Sequence, residues 1–515
     1  MKRPHVVIIG GGFGGLATAR ALARAPVNVT LIDRRNHHLF QPLLYQVATA
    51  ALNPSDIAYP IRGVLSGQRN ARVLLAEAKS IDSKGRRVVL DDGELEYDYL
   101  VVATGATHSY FGKDWGALAP GLKSVEDALE IRKRVFTAYE AAEREADPLA
   151  QREWLTFGVV GGGPTGVELA GALGEIGLQT LAHDFRNIDS RSVRVVLFEG
   201  SERVLGAYPA KLGAAAKRSL ESRHVEVRLN TRVTSIDDRG VDLADGAGGA
   251  SRANMRTVLW AAGVQASPLG ATLGVARDRA GRIEVKPDLS IPDHPEVFVI
   301  GDLALMISKG AQVPGVAQGA IQGGRHVAKQ IAAEAKGGSA RKPFSYWDKG
   351  NMATIGRASA VVATKRVAIS GVLAWLMWWV VHIFFLVGFK NRLVVMIGWL
   401  ASWLSYKRGA RLITGPVGAL PAVRAIGRTA RSGTSPMERT AASSRKPRMN
   451  QGTSLPILRR CPPAHPPAPR RPGASSERPT TTGPSISTRT SFTSVPICVA
   501  ARPAGTVAAS TCGTA

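Results

Sequence analysis

Two glycine clusters in this chain have the spacing needed to bind a dinucleotide pyrophosphate. In Gly10-Gly11-Gly12-Phe13-Gly14-Gly15 and again in Gly161-Gly162-Gly163-Pro164-Thr165-Gly166, the first glycine permits a tight turn and the second lets backbone approach the phosphates. The third lets a helix pack against the preceding strand. A helix that starts at such a turn offers free amide donors and a partial positive charge. Downstream of each cluster stands a carboxylate, Asp33 and Glu199, of the kind that accepts from ribose hydroxyls and repels a 2′-phosphate. Glu199 thus favours NADH over NADPH, with Arg203 close by in sequence as a counterweight. Two such sites suit one dinucleotide held permanently and one exchanged, and the expected cofactors are FAD and NADH.

The elements that must position these residues repeat as well. Val6-Val7-Ile8-Ile9 and Phe157-Gly158-Val159-Val160 lead into the two clusters, and each cluster opens an alanine-rich, helix-compatible stretch. Val29-Thr30-Leu31-Ile32 ends in Asp33, and Val195-Val196-Leu197-Phe198 ends in Glu199. Later strands end in the small-residue turns Ala103-Thr104-Gly105 and Ala261-Ala262-Gly263, and Val297-Phe298-Val299-Ile300 delivers Gly301-Asp302. A helix follows over about residues 316–336. The fold class is α/β, with two Rossmann-like dinucleotide-binding domains, one inserted in the other. Residues 1–115 and 290–345 make the FAD-binding domain and 150–289 the NADH-binding domain. A membrane-anchoring region covers 346–416, and a disordered basic tail rich in Pro, Ser, Thr and Arg covers 417–515.

Length and charge agree with this division. A chain of 515 residues exceeds one ordinary core, and a net charge of +26 calls for an anionic partner. After Pro416 the acidic residues are Glu438 and Glu477 among many arginines, with no interleaved aromatics. A lipid surface fits better than nucleic acid, and no nucleic-acid partner is expected. Cys461, Cys498 and Cys512 all lie in the same late segment. The body of the protein therefore has no disulfide framework, zinc spacing or redox pair, and no metal is expected. The apolar run after His5 passes straight into the first glycine cluster, so it reads as a buried strand and not a removable leader.

With these residues in place the chain resembles the two-dinucleotide-binding-domain flavoproteins, and within them the type II NADH:quinone oxidoreductases. The resemblance is carried by residues 40–48 (FQPLLYQVA), the Ala103-Thr104-Gly105 turn, Gly166-Val167-Glu168-Leu169-Ala170-Gly171, Ile300-Gly301-Asp302, residues 317–324 (AQGAIQGG) and residues 349–356 (KGNMATIG). It implies that FAD contacts Gly10, Gly12, Phe13, Gly14, Gly15, Asp33, Arg34, Pro42, Leu43, Ala103, Thr104, Gly105, Gly301, Asp302 and Lys349. NADH would contact Gly161, Gly163, Pro164, Thr165, Gly166, Glu168, Glu199, Ala262 and Gly263. Asp302 would bond the ribityl chain, and Lys349 would stabilise the reduced ring. Glu168 and Gln318 would act where nicotinamide, flavin and quinone meet, and Gln46, Gln318, Ile321 and Gln322 would face the quinone. Taken without the resemblance, Glu168 is equally a carboxylate placed on a helix dipole, and Asp302 reads also as a helix N-cap. Disulfide reductases and sulfide:quinone oxidoreductases of this architecture need cysteines near the flavin, whereas His37-His38-Leu39-Phe40-Gln41-Pro42 has none. Hydride must leave the flavin without a thiol relay.

The implied reaction passes hydride from NADH to FAD, then two electrons and protons to a membrane quinone, ubiquinone or menaquinone, in one subunit without proton pumping. Reduction of a soluble acceptor, or service as a redox sensor or membrane-tethered interaction protein, are the competing readings. Residues 367–389 contain no charged side chain and are long enough for the roughly 20 residues of a membrane span. Trp375, Trp378 and Trp379 cluster inside the run, and a span would put Lys390, Arg392, Lys407 and Arg408 outside. A pair of helices lying in one leaflet is therefore expected, on the cytoplasmic side of the cell inner membrane with cations on anionic headgroups. His382 in that run could serve as a quinone ligand, but a buried or interfacial histidine with a local partner is the favoured reading. A homodimer is left open.

Overall fold

Parallel strands covered by helices on both faces must be apolar throughout, and the runs that end in the two fingerprints are. The computed structural model describes residues 3–405, 409–418, 420 and 421; most of the 417–515 segment read as a tail lies outside the described residues. His5–Ile9 pairs in parallel with Asn28–Asp33 on one side and Tyr99–Val102 on the other. Ala71–Leu75 and His294–Val299 extend the sheet outward, and antiparallel Ser290–Ile291 closes one edge. The second sheet places Thr156–Val160 between Arg194–Phe198 and Thr257–Trp260, with Val225–Arg228 outermost, all parallel. Three antiparallel strands, from Thr231–Asp237 to Ala250–Asn254, come between Val225–Arg228 and Thr257–Trp260 in the chain.

The first sheet draws its last long strand from beyond the second sheet in sequence, so the second dinucleotide fold interrupts the first. Chain crosses between them along a short antiparallel ribbon, Ala106–His108 on Val264–Ala266. The long helix Val125–Arg144 begins at a reciprocal cap, in which the Ser124 hydroxyl accepts from Asp127 N–H and the Asp127 side chain accepts from Ser124 N–H. Its Arg132 is almost fully buried and donates to the carbonyls of Val47 and Leu52 at 2.6–2.8 Å. A cation at the end of the short helix Leu44–Ala48 satisfies carbonyls that the helix cannot.

After the helix Ala317–Glu334 the chain forms a three-stranded antiparallel sheet, Asn351–Gly356, Ser359–Ala363 and Ala368–Gly371. This corrects the single apolar segment expected over 367–389. Residues 368–371 pair with 360–363 as a strand, and the helix itself is only Val372–Phe385. Hydropathy does not distinguish a buried strand from a helix end. At 1.5 Å per residue its 14 residues span about 21 Å, and among the described residues no helix is long and apolar enough to cross a membrane. A second helix, Phe389–Ser405, follows a break at Leu386.

The strand Asn351–Gly356 lies directly on the second fingerprint helix, Pro164–Glu175. A Cβ at Gly171 would overlap the Ile355 carbonyl oxygen, so only glycine admits this approach. Gly171→Ala should therefore cost about 1–3 kcal/mol by overpacking, read as a lower denaturant midpoint; unchanged stability would mean that the strand does not press on the helix there.

Candidate functional site

The two fingerprints repeat atom for atom. Gly10 and Gly161 take φ +104° and +107°, values that L side chains avoid. A Cβ at Gly15 or Gly166 would overlap the carbonyl oxygen of Gly10 or Gly161, while Gly12 and Gly163 face open space. Each downstream carboxylate accepts a backbone N–H of its own turn, Asp33 Oδ2 from Gly11 at 2.6 Å and Glu199 Oε2 from Gly162 at 2.5 Å. Asp33 Oδ1 accepts from Arg35 N–H at 2.7 Å, and Glu199 Oε1 from Ser201 N–H at 2.8 Å. Open space over the second glycine of each turn and a fixed carboxylate beside it are what a pyrophosphate with its ribose requires.

Further features of the first fold fit FAD. The buried Thr104 hydroxyl has no partner among the described residues, and it sits in the small-residue turn at a strand's carboxyl end. The Asp302 carboxylate follows Gly301 at the end of the neighbouring strand with no hydrogen bond from any described residue. Two polar groups without partners at the carboxyl end of this sheet suit a ligand rich in hydroxyls. Phe13 stacks edge-on against His38 and Phe40, with ring centroids 5.0 and 5.9 Å away. Pro42 and Leu43 lie in the 3-10 turn Gln41–Leu43, but Leu43 is wholly buried in the apolar core. Arg34 points to the surface and pairs loosely with Glu77 at 3.8 Å. Arg203 donates to the Gly206 carbonyl at 3.1 Å.

A cavity of about 80 Å³ lies where the two folds meet, lined by Gln41, Leu44, Tyr45, Lys123, Thr165 and Glu168 among others. Glu168 is the fifth residue of the helix Pro164–Glu175, just past the first turn where spacing had put it, and receives Thr354 N–H at 3.4 Å, a long bond. Burial outweighs that bond and pushes the carboxyl up to about 8. Its charge in turn helps to raise the Tyr208 hydroxyl, after burial as the larger cause. A carboxyl raised this far favours its protonated form at neutral pH.

Gln318 and Gln322 sit one turn apart on the helix Ala317–Glu334 and grip one segment. Gln322 donates to the Trp347 carbonyl and accepts its N–H, both at 2.9 Å. Gln318 donates to the Gly350 carbonyl at 3.0 Å and accepts Lys349 N–H at 3.2 Å. Lys349 rests its ammonium over Trp347 and Phe385, 5.0 and 5.9 Å from the ring centroids. Ile321 lies between the two glutamines in sequence and is half-buried. Gln46 is buried, donates to the Tyr45 hydroxyl at 2.8 Å and accepts from Trp399 Nε1 at 2.6 Å.

Glu168 and the two glutamines are thus separate groups joined by one strand, since Gly350 meets Gln318 and Thr354 meets Glu168. Four residues of extended chain set these contacts roughly 13 Å apart. His382 is buried as expected. Its Nδ1 lies 2.6 Å from the Trp378 carbonyl, its ring stacks on Trp378 at 4.2 Å, and burial lowers its pKa to about 4. Sequence reasoning missed Thr354, Tyr45, Trp399 and Arg132 as individual groups. Thr354 and Tyr45 lay inside the matched stretches, while Arg132 looks like any surface cation of an amphipathic helix.

Two dinucleotide folds with a carboxyl at the cavity where they meet, and no cysteine among the described residues beside it, are the architecture of a flavoprotein oxidoreductase. The chain matches the family described as pyridine nucleotide-disulphide oxidoreductase over residues 4–324. It is 48% identical over 424 residues to the type II NADH:quinone oxidoreductase Ndh of Mycobacterium tuberculosis, covering 80% of this chain and 91% of the relative. It is 31% identical to the type II NADH:quinone oxidoreductase of Staphylococcus haemolyticus, over 70% of this chain and 89% of that protein. The solved structure of NDH2 from Plasmodium falciparum in complex with NADH superposes with a TM-score of 0.72 at 19% identity, over 80% of this chain and all of the other, a likeness of fold. The chain belongs to the pyridine nucleotide-disulphide oxidoreductase family and, within it, to the type II NADH:quinone oxidoreductases.

The raised carboxyl of Glu168 has a consequence for stability. An unfolded glutamate ionises near its ordinary 4.5 and the folded one near 8, so between these values the native state holds the extra proton. Stability then falls as pH rises through that window and levels above it. Glu168→Gln removes the titration. The variant should gain in melting temperature over the parent from pH 5 upward, with the gap growing to about pH 8 and constant beyond; a gap independent of pH would mean that Glu168 ionises normally.

Proposed function

We propose that this chain oxidises NADH and reduces a quinone that reaches the protein from a lipid surface. In this reading segments 1–115 and 290–345 hold FAD, and 150–289 hold NADH. FAD, when bound, supplies a ring that takes hydride from NADH and gives up two electrons. The protein's own residues bind and orient the two dinucleotides and manage protons. Glu168, protonated at neutral pH, holds a proton at the wall of the junction cavity and serves as the acid for a quinone oxygen. Gln318 has a second amide N–H beyond the one given to Gly350, and it is the donor toward a quinone carbonyl.

The observation that carries this reading is a continuous polar connection between the cavity and the C-terminal helices. Tyr45 lines the cavity with Glu168, its hydroxyl accepts from Gln46, and Gln46 accepts from Trp399 on the second helix. Those helices expose an apolar surface. Val372, Leu373, Leu376, Val380 and Phe384 fall on one face of the first, each 45% or more exposed, and Leu393, Val394, Ile397 and Leu400 fall on one face of the second. A stripe this long seldom faces water, and exposed Lys365, Arg366, Lys390 and Arg392 flank it, as anionic headgroups would require. The side of the membrane is the cytoplasmic one, where NADH is available.

Gln318→Ala and Glu168→Gln should leave bleaching of the flavin by NADH nearly unchanged and slow its reoxidation by quinone at least about tenfold, roughly 1.4 kcal/mol. Stopped-flow absorbance separates the half-reactions, and equal loss in both would assign these residues to the nicotinamide. A chain ending before Val372 should fail to float with vesicles containing anionic lipid while its flavin is still reduced by NADH. Flotation of the truncated chain at moderate salt would place the anchor elsewhere.

A further inference from the structure

Beside the second sheet a bulky aromatic side chain holds a backbone conformation that such residues avoid. Lys113 N–H donates to the Tyr110 carbonyl at 3.0 Å, and the two residues between them, Phe111 and Gly112, have φ +52° and +79°. Two successive positive φ values are the pattern of a type I′ turn, whose first central position usually goes to Asn, Asp or Gly. Phenylalanine is strained there, and such strain persists where surrounding structure enforces it for a purpose. Here the enforcement is visible. Ser109 N–H donates to the Gly263 carbonyl at 3.2 Å, Trp260 Nε1–H donates to the Ser109 carbonyl at 2.8 Å, and the nearly buried Trp260 ring lies edge-on to Phe111 at 6.0 Å.

Phe111 is nevertheless 68% exposed. Burial within this chain therefore does not offset the strain. The ring sits over Gly263, where a Cβ would lie 3.0 Å from Phe111 Cζ. Strand order then says which part of a dinucleotide passes this point. Glu199, the ribose carboxylate, ends the strand on one side of central Thr156–Val160, and the Ala262-Gly263 turn follows the strand on the other side. A dinucleotide laid across the carboxyl ends of these strands has its adenosine toward Glu199 and its nicotinamide half toward Gly263.

We propose that Phe111 is a nucleotide-positioning residue whose ring packs against the nicotinamide half of NADH, so that the nucleotide covers the apolar surface which the free protein leaves open. The assignment rests on NADH occupying the second fold. An aromatic ring supplies rigid contact area at small entropic cost, and the turn that carries it is tied by its neighbours to the strand end that the nucleotide crosses.

The test compares Phe111→Asn, Phe111→Tyr and Glu199→Gln in FAD-loaded protein, with NAD⁺ as the calorimetric probe. Asparagine accepts the left-handed backbone but lacks the ring. Phe111→Asn should raise the dissociation constant for NAD⁺ and the KM for NADH by about tenfold, keep kcat at saturation within roughly twofold, and leave the melting temperature equal or higher. Phe111→Tyr should restore the affinity. An unchanged dissociation constant in Phe111→Asn, with or without a fall in melting temperature, would make the ring a plug of its own loop and overturn the proposal. Glu199→Gln separates the two levels: if it weakens NAD⁺ binding while Phe111→Asn does not, only the role of Phe111 falls, and if neither variant weakens it, the second fold is not the nucleotide site.

Discussion

The strand Asn351–Gly356 pressed against the second fingerprint helix is the contact on which the rest of the site depends. It is possible because position 171 has no side chain, so the Ile355 carbonyl can lie against the helix. From that contact Thr354 N–H reaches Glu168 and supplies the one backbone bond that opposes the desolvation of its carboxyl. At its start the same strand is held by Gln318 through Gly350, and at its far side the sheet leads through Ala368–Gly371 into the exposed apolar helix. This short element thereby touches the second fold, the helix Ala317–Glu334 of the first and the sheet that leads into the exposed apolar helices. A mismatch at any of the three would be felt at the carboxyl.

Charge placement follows the same economy. Asp33 and Glu199 are each anchored to a glycine-turn N–H before any ribose arrives, so their orientation costs nothing further on binding. Arg132 takes the opposite position, a buried cation held by carbonyls alone, and it fixes the helix that carries Tyr45 and Gln46. The apolar surface of the C-terminal helices is stabilised from behind by Trp378, His382 and Trp399, which stack into the core.

Much of this was legible in the sequence because it depends on local rules. The two fingerprints, their carboxylates and the strands before them follow from spacing and hydrophobic period, and interruption of one fold by the other follows from the late strand ending in Gly301-Asp302. The strand at 368–371 was not legible. Its apolar residues continue into the helix without a change of composition, and only pairing with Ser359–Ala363 decides its conformation. The hold of Gln318 and Gln322 on Trp347, Lys349 and Gly350 was hidden for a related reason, since the partners are backbone groups of a segment 25 to 32 residues away. Phe111 gave no signal at all: its left-handed backbone is a property of the turn and of the contacts that enforce it.

As an acid for the quinone, the role proposed for it, Glu168 must hold its proton at neutral pH. Infrared difference spectra between the parent protein and Glu168→Gln, taken with oxidised FAD bound across roughly pH 5 to 9, read its protonation through the carboxylic-acid carbonyl band. A protonated band should persist through neutral pH and titrate away with a midpoint near 8. A carboxylate band already complete at pH 6 would contradict it.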